Sequence, residues 1–103
     1  MRIYLINRNG ANAKAEYDKK TGKVVVLKGS VISKSISGGS FRSAKSVEKL
    51  RNSGCVKDYT LIMDVEFKSP STAANFVTGS STNGLLAWKT VDGKKLKDLL
   101  AKE

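Results

Sequence analysis

Two stretches of the chain alternate regularly between apolar and polar residues, and this pattern constrains the fold more than any other feature. The first stretch reads NAKAEY, and its apolar residues Ala13, Ala15 and Tyr17 are predicted to share one side. The second, Tyr59–Phe67, keeps the alternation over nine residues and is predicted to be one continuous strand. Period-two alternation is typical of half-buried β-strands, so we expect a sheet with one buried face.

A polar turn, DKKTGK at residues 18–23, follows the first of these strands and leads into the apolar run Val24–Leu27. Gly22 can adopt the positive φ that a tight turn needs, so a β-hairpin is predicted here. The second strand of the hairpin is predicted over Val24–Lys28, and because its run Val24–Leu27 lacks polar alternation, it is expected at the centre of the sheet, buried on both faces. Met1–Ile6 is short and apolar and predicts a further strand.

Capping residues and apolar spacing predict three short helices. The clearest lies in SPSTAANFVTG, where Ser69 fits the N-cap, Pro70 the first helical position and Gly79 the residue after the last turn. A second helix is predicted from Ser43 to about Ser53. The leucines of the segment 96–100 predict a closing amphipathic helix.

The remaining segments are predicted from their turn residues. Gly29–Arg42 is rich in serine and glycine and indicates a long loop, which is either functional or a simple surface connection. Asn83-Gly84 and Asp92-Gly93 are turn dipeptides, and Leu85–Thr90 between them is predicted to be a strand. These elements give an α+β fold, with a small, mostly antiparallel β-sheet and about three short helices. Because 103 residues are too few for two self-sufficient cores, a single domain over residues 1–103 is expected.

Composition argues against enzymes and metalloproteins. The chain has no histidine and one cysteine, Cys55, so an internal disulfide is excluded and no metal site or cofactor is expected. Cys55 follows a glycine in an apolar context and is expected to be a buried structural thiol. Without histidine there is no Ser-His or Cys-His nucleophile pair, so the chain is predicted not to be an enzyme. Asp64 and Glu66 leave acid–base or Mg²⁺ chemistry open, as a weaker alternative to a solvated strand face.

The chain carries no segment that predicts a membrane span. Its longest apolar runs have four residues, whereas a membrane helix needs about 20. The N-terminal sequence MRIYLINRNG also lacks the apolar core of a secretory signal. A cytoplasmic location is therefore expected.

The charge balance points to an anionic partner. Lysine and arginine number 19 and the acidic residues nine, which gives a formal charge of +10 at pH 7. Such an excess favours contact with polyanions such as DNA or RNA. Solubility is the simpler alternative, because a high net charge also keeps small proteins monomeric.

A candidate binding site combines the uncharged run SPSTAANFVTGSSTNG with the basic residues near it. The first turn of a helix has unpaired N–H groups that attract phosphates, and nearby hydroxyls add hydrogen bonds. Trp88 could stack on a base and Asn83 could hydrogen-bond a base edge, although a core role and a turn role explain the same residues. The predicted nucleic-acid-binding residues are Lys68, Ser69, Ser71, Thr72, Asn83, Trp88, Lys89, Lys94 and Lys95, with Lys97 in the same cluster.

Four motifs occur in a recognisable order: AKAEY…GKVVVLKGS (13–30), EKLRNSG (48–54), FKSPSTAANFVTGSSTNG (67–84) and AWKTVDGKKLKDL (87–99). This order resembles the bacterial domain of unknown function 4357, over nearly the whole chain from about Ile3. Leu85 and Ser80 depart from the pattern, where the family usually has an aromatic and often a basic residue, which weakens a stacking or phosphate role there. The matching residues are Lys28, Gly29, Ser30, Arg51, Ser69, Pro70, Ser71, Ala73, Ala74, Gly79, Asn83, Gly84, Trp88, Lys89, Gly93 and Leu96.

The resemblance implies a binding role. Such domains usually sit at the C-terminal end of larger bacterial proteins, including nuclease-like and restriction–modification proteins. They are similar to the restriction-enzyme and adenine-methylase associated domain, which is proposed to read DNA, including modified DNA. We therefore expect a DNA-binding module whose partner activity is supplied by another protein in trans. The alternative is a protein–protein interaction module in which the 69–84 surface docks a nuclease or methylase.

Overall fold

The computed structural model describes residues 1–6, 10–34, 44–80 and 82–101. The elements are, in chain order, β1 (Arg2–Ile6), β2 (Asn12–Tyr17), β3 (Val24–Val26), α1 (Ala44–Arg51), β4 (Val56–Lys57), β5 (Thr60–Leu61), β6 (Val65–Phe67), α2 (Pro70–Thr78), α3 (Gly84–Ala87) and α4 (Leu96–Ala101). One antiparallel sheet has the strand order β1-β2-β3-β6, and β4 and β5 form a separate two-stranded ribbon. This arrangement confirms the predicted α+β class.

The β2–β3 hairpin forms as predicted. Gly22 has a φ of +77°, and its N–H donates to the carbonyl oxygen of Asp18 at 2.8 Å. β3 lies between β2 and β6 and is therefore central, but it ends at Val26 rather than at Lys28. The expectation of burial on both faces is wrong, because Val25, which points away from the helices, is only half-buried.

Among the described residues, helices cover one face of the four-stranded sheet and leave the other open. Helix α2 packs over β3 and β6, and the rings of Phe67 and Phe76 meet at a centroid distance of 5.1 Å. Removing this apolar surface from water is the main favourable term in folding. Cys55 is also buried, as predicted, and its thiol donates to the carbonyl oxygen of Leu50 at 3.3 Å. The buried residues of the sheet are Ile3, Leu5, Ala13, Ala15, Tyr17, Val24, Val26 and Phe67.

The predicted single strand Tyr59–Phe67 is wrong, because it is divided between two sheets. Asp58 and Tyr59 have φ values of +52° and +61°, the left-handed conformation that a two-residue hairpin turn requires. This turn folds β5 back onto β4, and the chain then bends through exposed Ile62 and Met63 before β6 joins the large sheet beside β3. Side chains alternate in burial within β5 and within β6, but the alternation does not continue across the bend between them.

The predicted strand Leu85–Thr90 is also wrong, because its first half is helical. Asn83 is the N-cap of α3, and its Oδ1 accepts a hydrogen bond from the N–H of Leu85 at 3.0 Å. A run of four apolar residues fits a buried helix turn as well as a strand, so periodicity could not separate the two. The described residues accordingly contain four helices rather than about three.

The other predicted helices are confirmed where the structure describes them. Helix α2 has Ser69 as its N-cap, Pro70 in its first turn and Gly79 in the left-handed conformation after its last turn, with a φ of +72°. Helix α1 begins at Ala44, and the predicted cap Ser43 lies outside the described residues. Leu96 opens α4 and is fully buried.

The described part of the predicted long loop, residues 29–34, is tied into the fold. Val31 forms backbone bridges to Asn12 and to Thr60, and Ser30 and Ser33 are buried. This part is therefore more than a surface connection, while the rest of the loop, residues 35–42, lies outside the described residues. None of the helices in the described ranges has the length and apolar character needed to cross a membrane.

Candidate nucleic-acid interface

The start of α2 is locked against the start of α3. The N–H of Gly84 donates to Ser71 Oγ at 3.0 Å, and Trp88 Nε1 donates to the carbonyl oxygen of Pro70 at 2.9 Å. The two backbones approach so closely that a Cβ on Gly84 would lie 2.2 Å from the carbonyl carbon of Pro70. Only glycine fits at such a contact. Much of the SPSTAANFVTGSSTNG segment is therefore a helix–helix junction.

Of the two roles left open for Trp88, the structure supports the core role rather than stacking on a base. Its side chain has 0% exposure and its indole N–H is already paired, so it serves the core. Ser69 and Thr72 are paired with each other, because Ser69 Oγ accepts from the N–H of Thr72 at 3.2 Å and lies 2.9 Å from Thr72 Oγ1. Asn83 remains exposed but uses its Oδ1 to cap α3.

Lys89 extends the large sheet at the β1 edge. Its backbone exchanges two hydrogen bonds with Tyr4, at 2.7 and 2.9 Å, and on its other side it forms an antiparallel bridge with Lys95. Within the sheet, Tyr4 is the direct partner of Lys14. Residues directly opposite each other in antiparallel pairs project to the same face. Lys95, Lys89, Tyr4 and Lys14 therefore lie side by side in that order.

We call Lys14, Lys89 and Lys95 the lysine row, with Tyr4 between Lys14 and Lys89. All three lysines are exposed. Adjacent strands are about 4.8 Å apart, so the row extends over roughly 15 Å. Charges at this spacing lie within or close to one Debye length of their neighbours, so their potentials add at physiological salt. The row is thus a continuous cationic band across the open face of the sheet.

An open groove runs beside the lysine row. We call it the outer groove; its volume is about 440 Å³. Ile6 and Val91, which line it, are 72% and 86% exposed, so the surface combines a cationic band with exposed apolar side chains. The groove is lined by Tyr4, Ile6, Ala87, Lys89, Thr90, Val91 and Gly93.

Lys14, Lys89 and Lys95 form no ion pair with a carboxylate of the described residues, whose ion pairs involve other cations. Arg2 on the same face pairs with Glu16 at 2.6 Å, and this hydrogen bond lowers the pKa of the Glu16 carboxyl. Lys94 lies 3.9 Å from Asp92, whose pKa is lowered mainly by a hydrogen bond from the Thr90 hydroxyl. Both carboxylates are therefore ionised at neutral pH and offset charges outside the row.

Comparison with known protein families identifies the family of this chain. The family model described as "Domain of unknown function (DUF4357)" matches residues 4–100, which is nearly the whole chain. The chain belongs to this family. No curated protein and no solved structure matches it. The description of the DUF4357 family states no function.

Several residues of the DUF4357 pattern have structural roles in this chain. The guanidinium of Arg51 caps the C-terminal end of α2, where Nε and Nη2 donate to the carbonyl oxygen of Phe76 at 3.1 and 2.7 Å. Nη1 donates to the carbonyl oxygen of Ser33 at 2.8 Å. Partial burial lowers the pKa of Arg51, and the negative end of the α2 dipole compensates its charge. Arg51 therefore belongs to the scaffold.

The structure groups the predicted site residues differently from the sequence. Trp88 and Lys89 project to opposite sides of their segment, so the α2 start lies on the buried side and Lys89 on the open face. Lys89 and Lys95 belong to the lysine row, and Lys94 follows Gly93, which lines the outer groove. Lys68 and Lys97 are exposed but are not part of the row.

Sequence reasoning missed four residues of this surface: Tyr4, Ile6, Lys14 and Val91. The alternation of RIYLI and NAKAEY places Tyr4, Ile6 and Lys14 on the outer faces of their strands, and this signal was present in the sequence. The alternation alone does not predict the strand register that puts Tyr4 opposite Lys14. It also does not predict the backbone bridge between Tyr4 and Lys89.

The acidic pair proposed from the sequence also has a structural explanation. Asp64 Oδ1 accepts a hydrogen bond from the N–H of Lys28 at 2.7 Å and so joins the ends of β3 and β6. Glu66 lies opposite Val25 on the open face of the sheet. Within the described ranges, no group of three or more histidine, cysteine or acidic side chains is placed to hold a metal ion.

Proposed function

We propose that the chain is a non-enzymatic nucleic-acid-binding module that binds DNA across the open face of its sheet. The observation that carries this proposal is the alignment of Lys14, Lys89 and Lys95 around Tyr4, with no carboxylate partner among the described residues. Phosphate contacts from lysine supply most of the sequence-independent affinity for DNA.

Two further features support the proposal. The formal charge of +10 attracts polyanions at long range. Lys89 and Lys95 also face each other directly across a backbone bridge, and like charges in that position destabilise a sheet. A bound phosphate would relieve this repulsion, whereas solubility alone does not require the two charges to be adjacent.

The proposed binding surface contains only some of the residues predicted from the sequence. Lys89 and Lys95 stay in it, Lys94 lies at its edge, and Trp88 is excluded because it is buried. Contacts from Lys68, Ser69, Ser71, Thr72 and Asn83 stay predictions, and so does the link with restriction–modification or nuclease systems.

Fluorescence anisotropy with labelled DNA at several salt concentrations tests the proposal. Each phosphate neutralised contributes about 0.7 to 0.9 to the slope of log affinity against log salt. The double variant Lys89→Gln with Lys95→Gln should weaken binding and flatten this slope by about 1.4 to 1.8. The matched control is Lys49→Gln with Lys57→Gln, which also removes two charges, because both lysines are exposed and lie outside the row, on α1 and β4. Absence of DNA binding, or equal losses in the control and the double variant, would refute the proposal.

A protein–protein module is the second candidate, and exposed apolar residues favour it. Leu86 and Val91 project into solvent near Ile6, and such side chains in contiguous patches mark interaction surfaces. Pull-down of a nuclease or methylase that survives nuclease treatment, together with no DNA binding, would favour this function.

A further inference from the structure

We infer that the ligand is a single-stranded polynucleotide, and that one of its bases stacks on Tyr4 in the outer groove while the lysine row holds the flanking phosphates. This inference rests on the proposed function and narrows it. Tyr4 lies between Lys14 and Lys89, so its ring is flanked by cations on both sides along the row. Proteins that bind single strands combine a positively charged groove with aromatic side chains on which bases stack.

The outer groove suits a base better than a duplex. Its volume of about 440 Å³ falls within the range of pockets that hold small organic molecules. In a duplex the flat faces of the bases are hidden by their neighbours, and only phosphates and groove edges are offered to the protein. On this surface a duplex would set the exposed side chains of Ile6 and Val91 against its charged backbone.

The open face also lacks an element that would enter a DNA groove. Reading a major groove requires a projecting helix or a two-stranded ribbon. Among the described residues, the open face presents only side chains of the sheet and of the segment around Lys89. The helices that cover the sheet lie on its opposite face.

The hydroxyl and backbone groups of the turn at residues 90–94 beside the groove are already paired within the protein. The Thr90 hydroxyl donates to Asp92 and accepts from the N–H of Lys94 at 3.2 Å. The N–H of Gly93 donates to the carbonyl oxygen of Thr90 at 2.9 Å, and the N–H of Thr90 donates to that of Lys94, also at 2.9 Å. Few donors are left to read a base edge, so we expect stacking with little sequence preference.

The test compares three ligands of one sequence, each about 12 nucleotides long, a length within the range that single-strand sites cover. These are single-stranded DNA, single-stranded RNA and duplex DNA, titrated against the full chain by anisotropy. We expect at least one of the two single strands to bind more tightly than the duplex. The single strand that binds more tightly shows whether the preferred ligand is DNA or RNA. Equal or tighter binding of the duplex overturns the inference but leaves the proposed function standing, whereas no binding of any ligand overturns both.

Variants of Tyr4 test the stacking contact directly. Tyr4→Leu should weaken single-strand binding about 5- to 150-fold, as expected for one lost base–aromatic stack. Tyr4→Phe keeps the ring and should retain the affinity, and thermal unfolding of each variant checks that the fold is intact. Tyr59→Asn removes an exposed tyrosine in the β4–β5 ribbon and should leave the affinity unchanged. An unchanged affinity in Tyr4→Leu, or equal losses in Tyr4→Phe and Tyr4→Leu, overturns the inference.

Discussion

Ser71 is the residue at which the scaffold and ligand interpretations of the SPSTAANFVTGSSTNG segment separate most clearly. Its hydroxyl accepts the N–H of Gly84 at 3.0 Å, in a part-buried junction between α2 and α3. A donor left without a partner in such a place costs about 1 kcal/mol or more. The same hydroxyl was predicted to bind nucleic acid. One substitution of Ser71 therefore tests its structural role and its predicted binding role together.

We expect Ser71→Ala to lower the free energy of unfolding by about 1 kcal/mol, because the Gly84 N–H loses its acceptor. Urea denaturation followed by the fluorescence of buried Trp88 measures this change. The affinity for DNA should stay the same as that of the unsubstituted chain. Unchanged stability combined with weaker binding would instead restore the site predicted from the sequence.

At the junction between α2 and α3, the roles of some residues could be predicted from the sequence and the roles of others could not. The cap Ser69, the helix start Pro70 and the stop Gly79 follow local rules, and all were predicted. The burial of Trp88 depends on the carbonyl oxygen of Pro70, 18 positions away in the chain. Local rules could not decide between a core indole and a stacking one, because that choice is made by tertiary packing.

At the scale of elements, the β4–β5 turn holds a conformation that its sequence does not favour. Tyr59 has a φ of +61°, which is unusual for a bulky residue and costs about 1–2 kcal/mol relative to the right-handed region. Its side chain is 44% exposed, so packing offsets only part of this cost.

Tyr59→Asn should therefore raise the free energy of unfolding by about 0.5–1 kcal/mol, because asparagine adopts the left-handed conformation more readily. Chemical denaturation measures the change. Asp58→Asn is the comparison variant, since the first turn position already carries a residue that tolerates this conformation and should respond less. A loss of stability in Tyr59→Asn would mean that the tyrosine ring packs more favourably than its exposure indicates.

The two wrong strand predictions have different physical causes. Period-two alternation in Tyr59–Phe67 reports which side chains face a core, and not which neighbour each part of the strand pairs with. The left-handed pair Asp58-Tyr59 carries no glycine signal, so the turn that divides the strand was not visible. In Leu85–Thr90, the cap at Asn83 was interpreted as a turn residue, although the same side chain starts α3.

At the scale of the whole molecule, the sequence gives the charge but not its arrangement. The formal charge of +10 predicts an anionic partner. The lysine row exists only because β1 pairs with β2 in one register and with Lys89 at its other edge. Lys14 is far from Lys89 and Lys95 along the chain, so no local pattern could bring these residues together.

We expect Lys89 and Lys95 to lower the stability of the fold while they raise its affinity for nucleic acid. Lys89 and Lys95 are direct cross-strand neighbours of like charge, and neither forms an ion pair with a carboxylate of the described residues. Replacing one of them by an acidic residue converts a repulsive pair into an attractive one, worth about 0.2–1 kcal/mol in a sheet. The same change removes a cation from the proposed phosphate contacts and adds an anion.

We therefore expect Lys89→Glu to raise the free energy of unfolding slightly and to weaken nucleic-acid binding at the same time. Lys49→Glu is the control, because it puts a negative charge in the last turn of α1, where the helix dipole disfavours it, and so should lower stability while binding changes little. Denaturation at low salt and anisotropy on the same samples measure both quantities. Parallel losses of stability and binding in Lys89→Glu would mean that Lys89 supports the fold, whereas unchanged binding would place the ligand elsewhere.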